Sequence, residues 1–347
     1  MRFFSSKILI FSLLTTISCV DPFEIEIKDN LNIVMVEGEI TDENRLQFIK
    51  IYNSDYKYQI VNKSAIPGLK VKVLVNGSHE INLSDDSNGT YYFPTEFRAI
   101  LGNNYQLVFT NNIGNQYQSD IEQLQAVPPI DSVYDYFEKE GTRAFGKDVP
   151  SNNIFVDFKD SDLGQNYLQW TWKMWEKQSV CMVTPYYDLY CSNDCYEIFY
   201  NSEINILDDK FYNGKGINGN LIGKIPYYQY YGALIEIKQK SITERAYKFY
   251  KNLQNLSQKT GTLADSPPQL IGGNIVNINN KAEIVAGLFT VASVKTKNYW
   301  LSRVNAQGKG IPAGLLGRKA NIIPNGITAP CQSNKYQTPI KPEFWQE

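Results

Sequence analysis

Leu69-Lys70-Val71-Lys72-Val73-Leu74-Val75 sets the tightest limit on the fold. All its odd positions are apolar, the period-two pattern of a strand with one buried face. Asn76-Gly77 follows at once, a pair that accepts positive φ at both central positions of a tight turn. The chain must therefore double back antiparallel here. Strand signals recur on both sides: Ile33 to Ile40, Leu46 to Tyr52, His79 to Leu83, Tyr91 to Phe93, Asn104 to Thr110 and Gln116 to Ile121. In the Asn104 run, Tyr105, Leu107 and Phe109 share a face. Polar turns at Asp85 to Gly89 and Asn111 to Asn115 separate the runs. About seven short strands with turns this frequent predict an immunoglobulin-like β-sandwich over residues 31–126.

Val127-Pro128-Pro129-Ile130 ends that unit, because two prolines lock an extended segment that cannot continue a ladder. Strand character resumes at Ile154 to Phe158 and Tyr167 to Glu176. In the second of these, Leu168, Trp170, Trp172 and Met174 share one face, and Gln169, Thr171 and Lys173 the other. A tryptophan stripe could be a stacking platform for sugars, but alternation beside Leu and Met reads as core. Trp175 lies on the polar face and is the candidate for exposure. Ser241-Ile242-Thr243-Glu244 fits a capping box. Ala246, Phe249, Tyr250, Leu253 and Leu256 then recur at helical spacing, with Gly261 as the stop. This predicts one amphipathic helix near 242–259, its aromatic face on a sheet. Pro267-Pro268 breaks the chain, and Ile271 to Ile278 and Ile284 to Lys295 return to strands. The fold class is thus mainly β: a sandwich, then a larger β-rich unit over 127–347 carrying the helix.

The N-terminus reads as an address. Arg2 and Lys7 precede an apolar run from Ile8 to Ile17, about ten residues against the roughly twenty that cross a bilayer as a helix. Thr16-Ile17-Ser18-Cys19 follows, with a small residue before a cysteine as lipoprotein signal cleavage requires. Residues 1–19 are expected to be a lipoprotein signal peptide ending at an acylated Cys19, with 20–30 as a polar tether. Anchoring would then rest on the lipid.

Charge and chemistry exclude several classes. Lys+Arg is 34 and Asp+Glu 36; without Arg2 and Lys7 the balance is 32 against 36, net −4, with no basic stripe for nucleic acid. The single histidine, His79, leaves no usual nucleophile–base pair, and no phosphate-binding glycine loop or zinc-protease motif is present. Asp157, Asp160, Asp162, Asp208 and Asp209 lie in polar, turn-like stretches and read as solvated loop carboxylates rather than a glycosidase pair. No catalytic residue, cofactor or metal site is expected. Ser132, within Asp131-Ser132-Val133, is a candidate for O-glycosylation. Besides Cys19, the cysteines are Cys181, Cys191, Cys195 and Cys331. Four in an exported chain favour disulfides, with three possible pairings. Zinc on the Cys191–Cys195 spacing is disfavoured by the scatter of the other two.

Four segments together resemble a known family. They are Val36-Glu37-Gly38-Glu39-Ile40-Thr41; Val127-Pro128-Pro129-Ile130-Asp131-Ser132-Val133; the run from Ser241-Ile242-Thr243-Glu244-Arg245-Ala246-Tyr247 through Leu253, Gly261 to Leu270, Gly273-Asn274-Ile275 and Gly287-Leu288-Phe289; and Pro342-Glu343-Phe344-Trp345. The chain is similar to the outer-membrane lipoprotein family known as domain of unknown function four-two-four-nine. The resemblance implies a non-catalytic, surface-exposed outer-membrane lipoprotein. It would be accessory to a TonB-dependent receptor, helping capture or gate a nutrient ligand whose identity the family leaves open. A structural subunit of another outer-membrane assembly, or a glycan-binding or hydrolytic module, is the alternative. The insertion from Cys181 to Cys195 and the single Cys331 depart from the family's pattern. Disulfides Cys181–Cys191 and Cys195–Cys331 are expected. Trp175, Tyr186, Tyr187 and Tyr190 are the partner-binding candidates.

Overall fold

A computed structural model describes residues 32–57, 60–144, 146–162, 164–257, 272–311 and 326–346. The leader, Cys19, the tether, Gly261 and Pro267-Pro268 lie outside the described residues. The fold is mainly β, with one helix among the described residues.

Two six-stranded sheets form the first sandwich. One runs in the order Val285–Ala292, Asn32–Thr41, Phe48–Lys57, Thr90–Tyr92 and Ser84–Asp85, with Ile60–Ala65 also on Phe48–Lys57. The other runs Ile275–Asn277, Gln116–Ser119, Asn104–Thr110, Lys70–Val75 and His79–Asn82, with Glu122–Gln123 also on Asn104–Thr110. The alternation does what period two requires. Val71, Val73 and Val75 face Tyr105, Leu107 and Phe109 inward, packed with Val36, Ile40, Ile49 and Ile51. Asn76 and Gly77 take φ of 51° and 77°, and the Ser78 amide closes the turn on the Val75 carbonyl at 3.3 Å.

Two strands of this sandwich come from beyond residue 127, which corrects the expected partition. Val285–Ala292 lies parallel to Asn32–Thr41, from Val34↔Val285 to Thr41↔Ala292. Ile275–Asn277 pairs antiparallel with Gln116–Ser119. A parallel neighbour cannot be joined by a hairpin and must arrive from a distant stretch of chain. Phe289 and Val291 complete a core that the local strands leave open.

The second unit is also layered. Ser132–Ala144, Lys147–Lys159 and Gly216–Pro226 form a three-stranded sheet. It packs on Val294–Leu301, Ala233–Ile242, Tyr167–Lys177, Tyr196–Tyr200 and Gln337–Thr338, with Asn205–Asp208 also on Tyr167–Lys177. Leu168, Trp170 and Met174 are core, as the stripe predicts. The Trp170 indole N–H donates to Gln239 Oε1 at 2.9 Å, meeting the need of a buried polar tip. Trp175 is half-buried, with the Lys173 ammonium 4.6 Å above its ring. A small third sheet joins Val180–Val183, Asp188–Cys191 and Thr328–Ala329.

The helix α1, Glu244–Ser257, begins later than the capping box suggests. Ser241 still belongs to the strand Ala233–Ile242, so Thr243 is the cap, its Oγ1 accepting from the Ala246 amide at 3.3 Å. Ser241 instead stitches the two units: its hydroxyl donates to the Gln125 carbonyl at 2.6 Å and accepts from the Ser293 amide at 3.1 Å. Ser293 is the single residue between Val285–Ala292 and Val294–Leu301, the point where the chain leaves one sandwich for the other. Asp42 holds it, accepting from the Ser293 hydroxyl at 2.6 Å and the Val294 amide at 2.9 Å. The aromatic face of α1 covers this seam, with Ala246, Tyr247, Phe249 and Tyr250 clustered around Leu288 and Tyr167.

Candidate functional site

Two surfaces could act on another molecule. The first is a groove of about 630 Å³ along the seam, walled by Phe249, Tyr250 and Leu253 of α1 and by Phe48, with Gly38 and Gly287 in its lining. Two of the four resembling segments meet here, and packing explains their glycines. Gly287 has φ of 94°, and a Cβ on it would lie 1.9 Å from the Val36 carbonyl oxygen. A Cβ on Gly273 would lie 1.7 Å from the Gly287 oxygen. Asn274 then bonds the Phe289 backbone twice, accepting from its amide at 2.9 Å and donating to its carbonyl at 2.6 Å. These motifs serve first to seat the donated strand.

The second surface is built around the cysteines. Cys181–Cys191 and Cys195–Cys331 are both bonded. The sulfurs of Cys181, Cys191 and Cys195 lie within 4.8 Å of one another, but each is spent in a disulfide, so no thiolate remains as a ligand. The first bridge brackets the hairpin Val180–Val183 and Asp188–Cys191. The second ties the C-terminal segment to the start of Tyr196–Tyr200. The hairpin stands outward: Tyr186 is 81% exposed, and Met182, Val183 and Tyr190 are exposed beside it. Tyr187 is half-buried, its amide donating to Thr184 Oγ1 at 3.0 Å. Tyr190 shares a cleft of about 550 Å³ with Tyr231. Tyr230 and Tyr231 are both exposed, with ring centroids 4.0 Å apart. The hairpin and the Tyr230-Tyr231 loop thus form one aromatic face, and Trp175 is not among its exposed residues.

Behind this face sits a buried ion network. Arg303 and Glu176 pair with both side chains at 0% exposure. Arg303 Nη1 donates to the Gln229 and Tyr231 carbonyls at 3.1 and 3.0 Å, fixing the tyrosine loop from below. Gln229 Nε2 donates to Glu176 Oε2 and to the Lys177 carbonyl, each at 2.9 Å. Burial raises the Glu176 pKa, with Arg303 opposing the shift. Glu197 stands directly opposite Glu176 in register. Burial, then the Glu176 charge, push its pKa up to about 7. The tyrosine pairs at 227–228 and 230–231 are visible in the sequence. Their support by a residue 72 positions further on is not.

The remaining expected residues lie elsewhere. Ser132 is half-buried, its hydroxyl donating to Asp157 Oδ2 at 2.7 Å. Asp157 also accepts from the Gly219 amide at 2.7 Å and from Tyr134 at 3.2 Å, and these bonds, Ser132 foremost, hold its carboxyl below the usual range. Asp160 and Asp209 are not solvated loop carboxylates but are buried. Asp162 is exposed and Asp208 half-buried. No helix among the described residues is long and apolar enough to cross a membrane.

Fold and surface together define a double β-sandwich protein whose outward feature is a disulfide-bracketed aromatic face. The chain belongs to the family described as "Domain of unknown function (DUF4249)", which it matches over residues 20–298. The ending Pro342 to Trp345 lies beyond that span; there Trp345 packs edge-on against Tyr196 and Trp300 at 4.8 and 4.9 Å. No curated protein and no solved structure matches the chain.

Proposed function

We propose that this is a non-catalytic lipoprotein of the outer membrane, anchored through lipid at Cys19 and exposed at the surface. Its aromatic face docks on a TonB-dependent receptor barrel and helps capture or gate the nutrient that the barrel imports. The observation that carries this reading is the cluster of Met182, Val183, Tyr186, Tyr190, Tyr230 and Tyr231, apolar groups held outward on a framework stiffened by two disulfides and an ion pair. Protein interfaces are enriched in Tyr and Met, and a rigid platform lowers the entropic cost of association.

The test is affinity purification of the tagged full-length chain from its own membranes, followed by identification of the captured proteins. The wild type should bring down a large barrel receptor. A Tyr186→Ser, Tyr190→Ser and Tyr231→Ser triple variant should fold, remain membrane-bound and lose at least about tenfold in recovery, a modest figure for three interface tyrosines. Full recovery with the triple variant removes the face from the interface. Capture of a different assembly supports a structural subunit instead. Cys19→Ser should abolish labelling with palmitate and release the protein from membranes. Hydrolysis of a glycan or ester by the purified chain would end the accessory reading altogether. A second reading, capture of a small ligand by the chain itself, is favoured by the aromatic-walled groove at the seam. Binding lost on Phe249→Ala but kept in the triple variant would select it.

A further inference from the structure

Two carboxylates meet where the two layers of the second unit are laced together. Lys147–Lys159 ends and passes the chain to Asp160, Asn205–Asp208 passes it to Asp209, and a tight turn through Gly214 leads into Gly216–Pro226. The Asp160 amide donates to the Lys215 carbonyl at 2.9 Å, and the Asp209 amide to the Asn166 carbonyl at 3.2 Å. The loops are knitted by their backbones, and the side chains turn inward: Asp160 is 4% and Asp209 1% exposed.

Few donors reach the inward atoms, and those that do are backbone amides on Asp160, from Gly214 and Ser161. Asp160 Oδ2 accepts from the Gly214 amide at 3.2 Å. Asp160 Oδ1 and both carboxylate oxygens of Asp209 have no hydrogen-bond partner. The two carboxyl groups face each other within hydrogen-bonding reach, and no lysine or arginine is among the groups acting on Asp160. A buried charge is tolerated when it is paired or bound to a metal. Carboxyl groups in direct contact leave no room for the sugar and water that glycoside hydrolysis sets between its two acids. Two buried carboxylates with so few donors, and no protein cation set against them, instead offer the hard oxygen donors that a divalent cation takes.

We propose that Asp160 and Asp209 bind one calcium-type cation, which clips the Asp209 turn to the end of Lys147–Lys159 and so joins the two layers. The site is independent of the docking face and stands or falls without it. The experiment is a titration of calcium chloride into the EDTA-treated full-length chain in detergent, read by calorimetry and by thermal unfolding, with magnesium chloride and terbium chloride as companion probes. Saturable uptake of one calcium per chain is expected in the ~0.1–1 mM range of extracellular calcium modules, with a rise in Tm. Asp209→Asn should weaken that binding by more than about 100-fold. If the two carboxyl groups share a proton instead, the wild type takes up neither calcium nor terbium and its Tm is indifferent to both. In that case Asp209→Asn, which places an amide donor beside Asp160, melts at or above the wild-type temperature. Should Asp209→Asn fail to fold, the wild-type titration decides on its own: uptake sustains the site, and no uptake overturns it.

Discussion

In the first sandwich, Gly287 lets Val285–Ala292 lie so close to Asn32–Thr41 that a single methyl group would meet backbone oxygen. In the second unit, Arg303 and Glu176 are buried together, and Cys195 is bonded to a cysteine 136 positions away. The first region closes by shape and the second by specific pairings. The first contains neither a disulfide nor a fully buried ion pair among the described residues, because apolar alternation and one donated strand suffice to fill it. The second presents an aromatic face to solvent and so gives up apolar surface it could have buried. Covalent and ionic ties hold that face in place.

The sharpest way to break this contrast is at the donated strand. Gly287→Val should abolish the cooperative urea transition, since both the left-handed φ and the approach to Val36 forbid a side chain at a cost above about 4 kcal/mol. A soluble, cooperative variant would show that the strand is dispensable. Next come the disulfides. On the chain-entropy model, Cys195→Ala with Cys331→Ala should lose about 5 kcal/mol, and Cys181→Ala with Cys191→Ala about 3 kcal/mol. Hydrogen exchange should report both losses in the second unit while protection of Asn104–Thr110 persists.

Arg303→Met should cost about 3–5 kcal/mol by leaving Glu176 buried and unpaired, and Arg303→Met with Glu176→Leu should recover most of it. If the double variant is as unstable as the single, the pair acts through packing, not charge.

The smallest effect is a pH dependence. Glu197 has a folded pKa near 7, above the ordinary carboxylate value. Between about pH 4.5 and 7 the folded state therefore holds a proton that the unfolded state has lost, and stability falls as pH rises through that window. Discounted for its partial exposure, the loss is about 2 kcal/mol. Glu197→Gln should match the wild type at pH 4.5 and exceed it at pH 8; parallel curves would place the titration elsewhere.

Much of the fold was legible in advance. Leu69–Val75 with Asn76-Gly77, the buried face of Tyr167–Lys177 and the amphipathic helix all declare themselves through spacing. Both disulfides form as expected. Around the candidate face, the outward hairpin tyrosines could be named beforehand, whereas Tyr230 and Tyr231 could not. Their exposure depends on a loop held by Arg303, and nothing near residue 230 signals that tie. The helix cap falls two residues beyond the capping-box serine for a related reason: Ser241 suits a cap, but the strand it belongs to keeps its backbone in the sheet.

The sequence by itself determined where the chain alternates, turns, breaks and coils, because those are contests between a residue and its near neighbours. Tertiary structure alone decided that Val285–Ala292 would cross back into the first sandwich, that Glu176 would find Arg303, and that Asp160 would face Asp209. Each of these joins groups tens to hundreds of residues apart. Such pairings gain nothing until the intervening chain has folded, so no local pattern has to announce them.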